Sequence, residues 1–351
     1  MYKYEHGGIA RYTNKNVLDF SANINPLGLQ AGIREAISAA VSDCTFYPDS
    51  FSTALRNSIS EYEAVPGRHI ICGTGASDLI FRIVYALKPK KALVLAPSFL
   101  DYSRALQAGN CEIHQHRLYE ENNFEPGQDM LDIIRKESFD LVFLCNPDNP
   151  TGVLTGRELI CNIIDECGKA GTGIVVDECF MDFVHNPECF TVKGLLAQYP
   201  NLLVLKAFTK VFALPGIRLG YALCSNEELL NRLYFHGADW SVSTLAQAAG
   251  IAALENPAQY LESTREFIHS EKEVMENQLK EMGFLIFGSQ ANYIFFKNPY
   301  PVDLAEKLYR NHDICIRSCG NYFGLDKRFY RIAVLQSPQN ERLLQAMRQV
   351  L

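Results

Sequence analysis

Long hydrophobic runs are missing from this chain. No window approaches the roughly 18 consecutive apolar residues of a membrane span, so none is expected. The opening residues, MYKYEHGGIARY, carry no apolar core of the signal-peptide kind. Basic excess is missing too. Lys and Arg total 33 against 40 Asp and Glu, a net charge of −7. A nucleic-acid partner, which wants a basic face, is therefore not expected. The eleven cysteines are odd in number and include no C-x-x-C pair. Free thiols in a reducing cytosol fit that pattern better than a disulfide framework. There is no Walker A loop, no G-x-G-x-x-G and no G-x-S-x-G elbow. Those absences argue against the corresponding nucleotide sites and against elbow-type serine hydrolysis. Repeats and low-complexity linkers are also lacking.

What is present is a soluble-enzyme composition, 48% hydrophobic and 21% charged. At 351 residues the chain exceeds what one core usually serves, so two lobes are expected. Apolar runs at 91–97, 140–147, 173–180, 201–208 and 218–224 alternate with helical patterns at 77–87, 99–108, 127–137 and 156–169. Continuous Val/Ile/Leu strands separated by helices predict an α/β fold with a mostly parallel sheet covered on both faces. From 242 to 282 the pattern is helical, with Pro257 as the expected break. The tail alternates strands and helices, which predicts a smaller α+β domain. The expected division is 1–43 as an arm joined to the small lobe, 44–255 as the large domain and 256–351 as the small one.

Ligands of open α/β sheets sit beyond the carboxyl ends of the strands. In ICGTGASDLIF (71–81), Gly73 and Gly75 permit a tight turn. The amides of Ala76 and Ser77 would open a helix, where phosphate is favoured; a plain capped helix uses the same residues. FLCNPDNPTGVL (143–154) is rich in turn formers, and Asn149 could aim its amide into the crevice. Asp177 directly follows Ile174, Val175 and Val176. A carboxylate there needs a partner: an ion pair, a helix amide, or the protonated nitrogen of a ring.

Lys210 lies among Phe208, Val211, Phe212, Ala213 and Leu214. Desolvation lowers the pKa of such a lysine and suits it to Schiff-base chemistry. Thr209 and Arg218 are good phosphate partners. Each residue alone reads as a solvated surface group. Together they describe an aldehyde with a phosphate and a pyridine nitrogen, which is pyridoxal 5'-phosphate (PLP). His114 and His116 alternate along a strand and read as exposed residues, so no metal is expected. CIRSC (315–319) fits no zinc spacing and reads as a strand carrying Arg317.

The series GTGAS, PSF, NPDNPTG, DECF, FTKVFALPGIRLGY and YRIAV resembles the fold-type I PLP enzymes of the class I/II aminotransferase group. HGG (6–8), LDFSANINPLG (18–28), FYPD (46–49), WSV (240–242) and ICIRSCGNYFGLDKRFYRIAV (314–334) are similar to the threonine-phosphate decarboxylases of cobalamin biosynthesis, and next to the histidinol-phosphate aminotransferases. The resemblance implies an aminotransferase-like fold and a homodimer. It implies that Lys210 forms the Schiff base, Asp177 holds the pyridine nitrogen, Asn149 meets the ring hydroxyl and Phe99 stacks on the ring. Ala76, Ser77, Thr209 and Arg218 would hold the phosphate, with Tyr47 reaching it from the neighbouring subunit. Arg331 and Arg317 would bind substrate anions, and His6, Asn23 and Arg157 would line the substrate pocket. Phe180 stands where many aminotransferases have a tyrosine. The implied activity is decarboxylation of L-threonine O-3-phosphate to (R)-1-amino-2-propanol phosphate. The alternative is an aminotransferase acting on histidinol phosphate or a related amino acid. A scaffold that binds the cofactor without turnover is a third reading, against which the intact Lys210, Asp177 and Arg218 stand.

Overall fold

The apolar runs pair into one large sheet in the computed structural model, which describes residues 7–8 and 16–351. Its strands are β2 (Ile70–Gly73), β3 (Lys91–Ala96), β4 (Glu112–Arg117), β5 (Leu141–Cys145), β6 (Gly173–Asp177), β7 (Leu202–Ala207) and β8 (Gly220–Leu223). A preceding short strand, β1 (Leu18–Asp19), lies outside this sheet. The seven strands run in the order β2-β8-β7-β6-β5-β3-β4. β8 is antiparallel to both neighbours, and the other pairings are parallel.

Successive residues of a strand point to opposite faces, and here both faces are covered. In β5, Val142 and Leu144 join a core with the helices Thr53–Glu63 and Arg157–Ala170, while Leu141 and Phe143 join a second core with Ala76–Leu87 and Leu100–Ala108. All five β5 residues are buried. Continuous apolar runs without alternation are thus the signature of a sheet sandwiched between helices.

The remaining strands are β9 (Leu285–Phe287), β10 (Tyr293–Lys297), β11 (Ile314–Cys315), β12 (Arg317–Ser318) and β13 (Phe329–Ala333). Four of them form a second sheet, β12-β13-β10-β9, with its own apolar cluster. The single strand expected at 314–319 is two pieces. Ile314–Cys315 pairs in parallel with β1, while Arg317–Ser318 pairs with β13. The chain changes sheets at Ile316, and the N-terminal segment thereby joins this second sheet region.

Helices break where proline and caps dictate. Thr244–Leu254 begins at Ser243, whose side chain accepts from the Ala246 amide at 3.2 Å. Pro257 then precedes Ala258–Glu281, whose buried Leu261, Thr264, Ile268, Met275 and Leu279 trace one stripe at helical spacing. A second expectation fails. His116 is buried, and its Nε2 lies 3.3 Å from Asp129 of the helix Gln128–Lys136. Among the described residues no group of three or more His, Cys, Asp and Glu could hold a metal. No helix among them is long and apolar enough to cross a membrane.

Candidate active site

The carboxyl ends of β5, β6 and β7 deliver Cys145, Asp177 and Ala207 to one edge of the large sheet. Beyond that edge lies a cavity lined by these residues together with Ala76, Ser77, Phe99, Asn149, Thr209, Lys210 and Arg218. Its other wall comes from the second sheet and the N-terminal segment: Ser21, Asn23, Arg317, Tyr322 and Arg331.

Lys210 sits in the one-turn helix Phe208–Val211 that follows β7. Its ammonium nitrogen lies 5.9 Å from the centre of the Phe180 ring. Desolvation, then the Arg331 guanidinium, lowers its pKa from 10.5 to about 8. A substantial fraction of the amine is therefore neutral near physiological pH, as a nucleophile or base requires.

Asp177 is buried, and burial raises its pKa. Hydrogen bonds from Cys179 and Tyr102 offset that cost. The Tyr102 hydroxyl donates to Oδ2 at 2.6 Å and the Cys179 amide to Oδ1 at 3.0 Å. A carboxylate held this way beyond a strand end can accept a further N–H from the cavity side.

At the cradle end, β2 turns at Gly73 and Gly75 into the helix Ala76–Leu87. Gly75 has φ +86°, and a Cβ there would lie 2.6 Å from Arg218 Nη2. Gly220 is equally confined: a Cβ would lie 2.7 Å from the Ala76 amide nitrogen. The first-turn amides of a helix lack internal partners and carry the positive end of its dipole. With the Arg218 guanidinium beside them, they form a site for an anion of phosphate size. Arg218 itself has φ +60°, an uncommon conformation for a residue with a side chain. Ser77 Oγ donates to Asp101 at 2.7 Å, which anchors the turn to the next helix.

On the opposite wall, Arg317 of β12 and Arg331 of β13 are directly paired in register. Like charges placed opposite each other are unfavourable unless something anionic lies between them. Arg331 donates to Asn149 Oδ1 and to the Ser21 carbonyl, the latter at 2.9 Å. With its amide turned so that oxygen faces the guanidinium, Asn23 accepts from Arg331 Nη1 and Nε at 3.2 and 3.3 Å. Arg317 lies 5.2 Å above the Tyr322 ring and donates to Asn321 Oδ1 at 2.8 Å.

Eleven of the expected residues thus meet in one cavity. Two do not. Tyr47 is 80% exposed and packs on Trp240 with ring centres 4.6 Å apart. Arg157 opens the helix that follows β5, is exposed, and donates to the Thr191 carbonyl at 2.6 Å. His6 lies outside the described residues. Conversely, Ser21, Tyr102, Cys145, Cys179 and Tyr322 escaped the sequence reading. Tyr102 is three residues beyond Phe99 on the same helical turn, a spacing that could have flagged it. Ser21, Cys179 and Tyr322 lie within LDFSANINPLG, DECF and ICIRSCGNYFGLDKRFYRIAV, where nothing local singles them out, and Cys145 reads as a core residue.

A family model described as aminotransferase class I and II matches residues 15–347. The threonine-phosphate decarboxylase of Salmonella typhimurium is 34% identical over 360 residues, covering 100% of this chain and 98% of the relative. Histidinol-phosphate aminotransferase 2 of Archaeoglobus fulgidus is 31% identical, covering 97% of this chain and 94% of the relative. Among solved structures, the histidinol-phosphate aminotransferase from Clostridium acetobutylicum superposes with a TM-score of 0.88 at 28% identity, covering 95% of this chain and 99% of that one.

Proposed function

The chain belongs to the class I and II aminotransferase family of PLP-dependent enzymes, and from that premise we propose that it decarboxylates a phosphorylated amino acid, with L-threonine O-3-phosphate as substrate and (R)-1-amino-2-propanol phosphate as product. The observation that carries this reading is the in-register pair Arg317–Arg331 on the same cavity as Lys210 and Asp177. Two guanidiniums are more than a single carboxylate needs, and a substrate bearing both carboxylate and phosphate matches them.

The cavity fits PLP. Gly75 and Gly220 leave room for a phosphate against the Ala76 and Ser77 amides, Thr209 and Arg218. Lys210 would hold the aldehyde, Asp177 the protonated ring nitrogen, Asn149 the ring hydroxyl and Phe99 a ring face. Bound there, the cofactor supplies a carbonyl for amines and a ring that withdraws electrons from the bond broken at the substrate α-carbon. The protein's part is orientation. Arg317 and Arg331 hold the substrate anions and so select which α-carbon bond is presented for breakage. With its pKa near 8, Lys210 can both take and return a proton at Nζ. Phe180, buried and edge-on to Tyr293 with ring centres 5.2 Å apart, sets its ring beneath the Lys210 nitrogen.

Purified protein incubated with threonine phosphate and PLP should release CO2 without any 2-oxo acid. Transfer of the amino group from histidinol phosphate to 2-oxoglutarate, with no CO2 from threonine phosphate, would replace this reading by the aminotransferase one. That second reading draws support from the Clostridium acetobutylicum structure and the Archaeoglobus fulgidus relative.

The chain is further read as a homodimer. Phe46, Tyr47, Phe51 and Phe235 are each more than half exposed, and Trp240 is 47% exposed. Large aromatics gathered on one surface mark an interaction site. In the dimer Tyr47 would reach the neighbour's phosphate cradle.

A further inference from the structure

We propose that Tyr102 is a positioning residue for the reaction: its hydroxyl holds the Asp177 carboxylate ionised and oriented toward the cavity. The proposal rests on the PLP reading above and concerns a residue that reading leaves unused.

Tyr102 is fully buried in the helix Leu100–Ala108 and does not line the cavity. Its ring is clamped. It stacks on Phe143 with centres 4.9 Å apart at 12°, and meets Phe99 edge-on at 5.6 Å and 82°. A ring held on two sides fixes where its hydroxyl points, and that is Asp177 Oδ2, 2.6 Å away. Oδ1 is held by the Cys179 amide at 3.0 Å. Both carboxylate oxygens thus have protein donors, the Cys179 thiol adds a further hydrogen bond, and the lone pairs left over are the ones available to a ligand.

The titratable groups facing Asp177 are Tyr102 from its helix, Cys145 from β5 and Cys179 from the turn after β6. Burial pushes all three well above their usual values, so they stay protonated across the working range. Tyr102 is therefore a constant donor. Without it, the carboxyl becomes more basic. A proton shared with a ring nitrogen then shifts toward Asp177, and the ring loses the charge that makes it an electron sink.

The test uses cofactor-loaded Tyr102→Phe, which keeps the clamped ring and removes only the hydroxyl. Expected is a fall in kcat of roughly tenfold to a hundredfold, the usual range for a hydrogen bond to a charged group, with KM little changed. The acid limb of the kcat profile should move to higher pH. In an Asp177→Ala background the same substitution should change neither. Wild-type kcat with an unmoved acid limb in a folded, PLP-loaded variant would overturn the proposal. So would an undiminished effect in the Asp177→Ala background, because that is what a purely structural role predicts. If Tyr102→Phe does not fold, wild-type protein with labelled tyrosine decides. A Tyr102 hydroxyl proton protected from exchange, and lost in Asp177→Ala, is the expected result; a freely exchanging one overturns the idea. Wild-type protein that binds no PLP would instead overturn the parent reading.

Discussion

Lys210 illustrates how a desolvated amine can cost stability while gaining the reactivity that the proposed chemistry needs. Its pKa in the folded chain is lowered from 10.5 to about 8, so between those values the unfolded chain binds more protons. Stability from this group therefore rises with pH through that window, and its full cost is felt below about 8. Cofactor-free Lys210→Met should accordingly have a higher urea midpoint than wild type at neutral pH. The gap should shrink as pH rises from about 8 to about 10.5. An equal gap at every pH would mean the lysine is not strained by desolvation. The same variant should lose turnover with any amine substrate. The lysine's chemical potential was readable from its neighbours in the chain, because Phe208, Val211, Phe212 and Leu214 are local and all buried. Arg331, its second depressing influence, comes from 121 positions further along and was placed beside it only by folding.

The turn between β2 and its helix shows an element doing work that its individual residues do not announce. GTGAS looks like any glycine turn. The constraint comes from β8, which passes so close that Gly220 has no room for a side chain. Gly220→Ala should push β8 off the helix start and disturb the first-turn amides. The expected result is a PLP dissociation constant raised at least about tenfold, with the far-ultraviolet spectrum retained. Wild-type PLP affinity in that variant would show that the amides are not part of the cradle. Element positions along the large sheet were legible from apolar runs bounded by turn formers, since strands buried on both faces need no alternation. The break inside 314–319 was not legible. Nothing in ICIRSC marks Ile316 as the point where the backbone changes partner strand.

At the level of the molecule, the cavity is a seam. Arg331 of the second sheet reaches Asn149 of the first and the Ser21 carbonyl of the N-terminal segment. The Tyr293 hydroxyl donates to the Asp148 carbonyl at 2.5 Å, and the Gln290 amide to Gly152 at 2.7 Å. Closing these bonds brings Arg317 and Arg331 onto the same cavity as the lysine and aspartate of the large sheet. In the proposed dimer, the exposed aromatics around Tyr47 would extend the same logic across a second copy. Sedimentation should give twice the chain mass at micromolar concentration, and Tyr47→Ala should weaken PLP binding several-fold. A monomer with unimpaired PLP affinity would sink the dimer reading.

Strand and helix order, the helix break at Pro257 and the lysine–aspartate–arginine set follow from local information: apolar periodicity, turn residues, and a few side chains whose types match one ligand. Folding decided the rest. The Tyr102 hydroxyl on Asp177, the Arg317–Arg331 pairing and the absence of Arg157 from the cavity all depend on which residues distant in the chain are brought within hydrogen-bonding reach. Directional bonds of about 3 Å are decided by packing, and packing is a property of the whole chain.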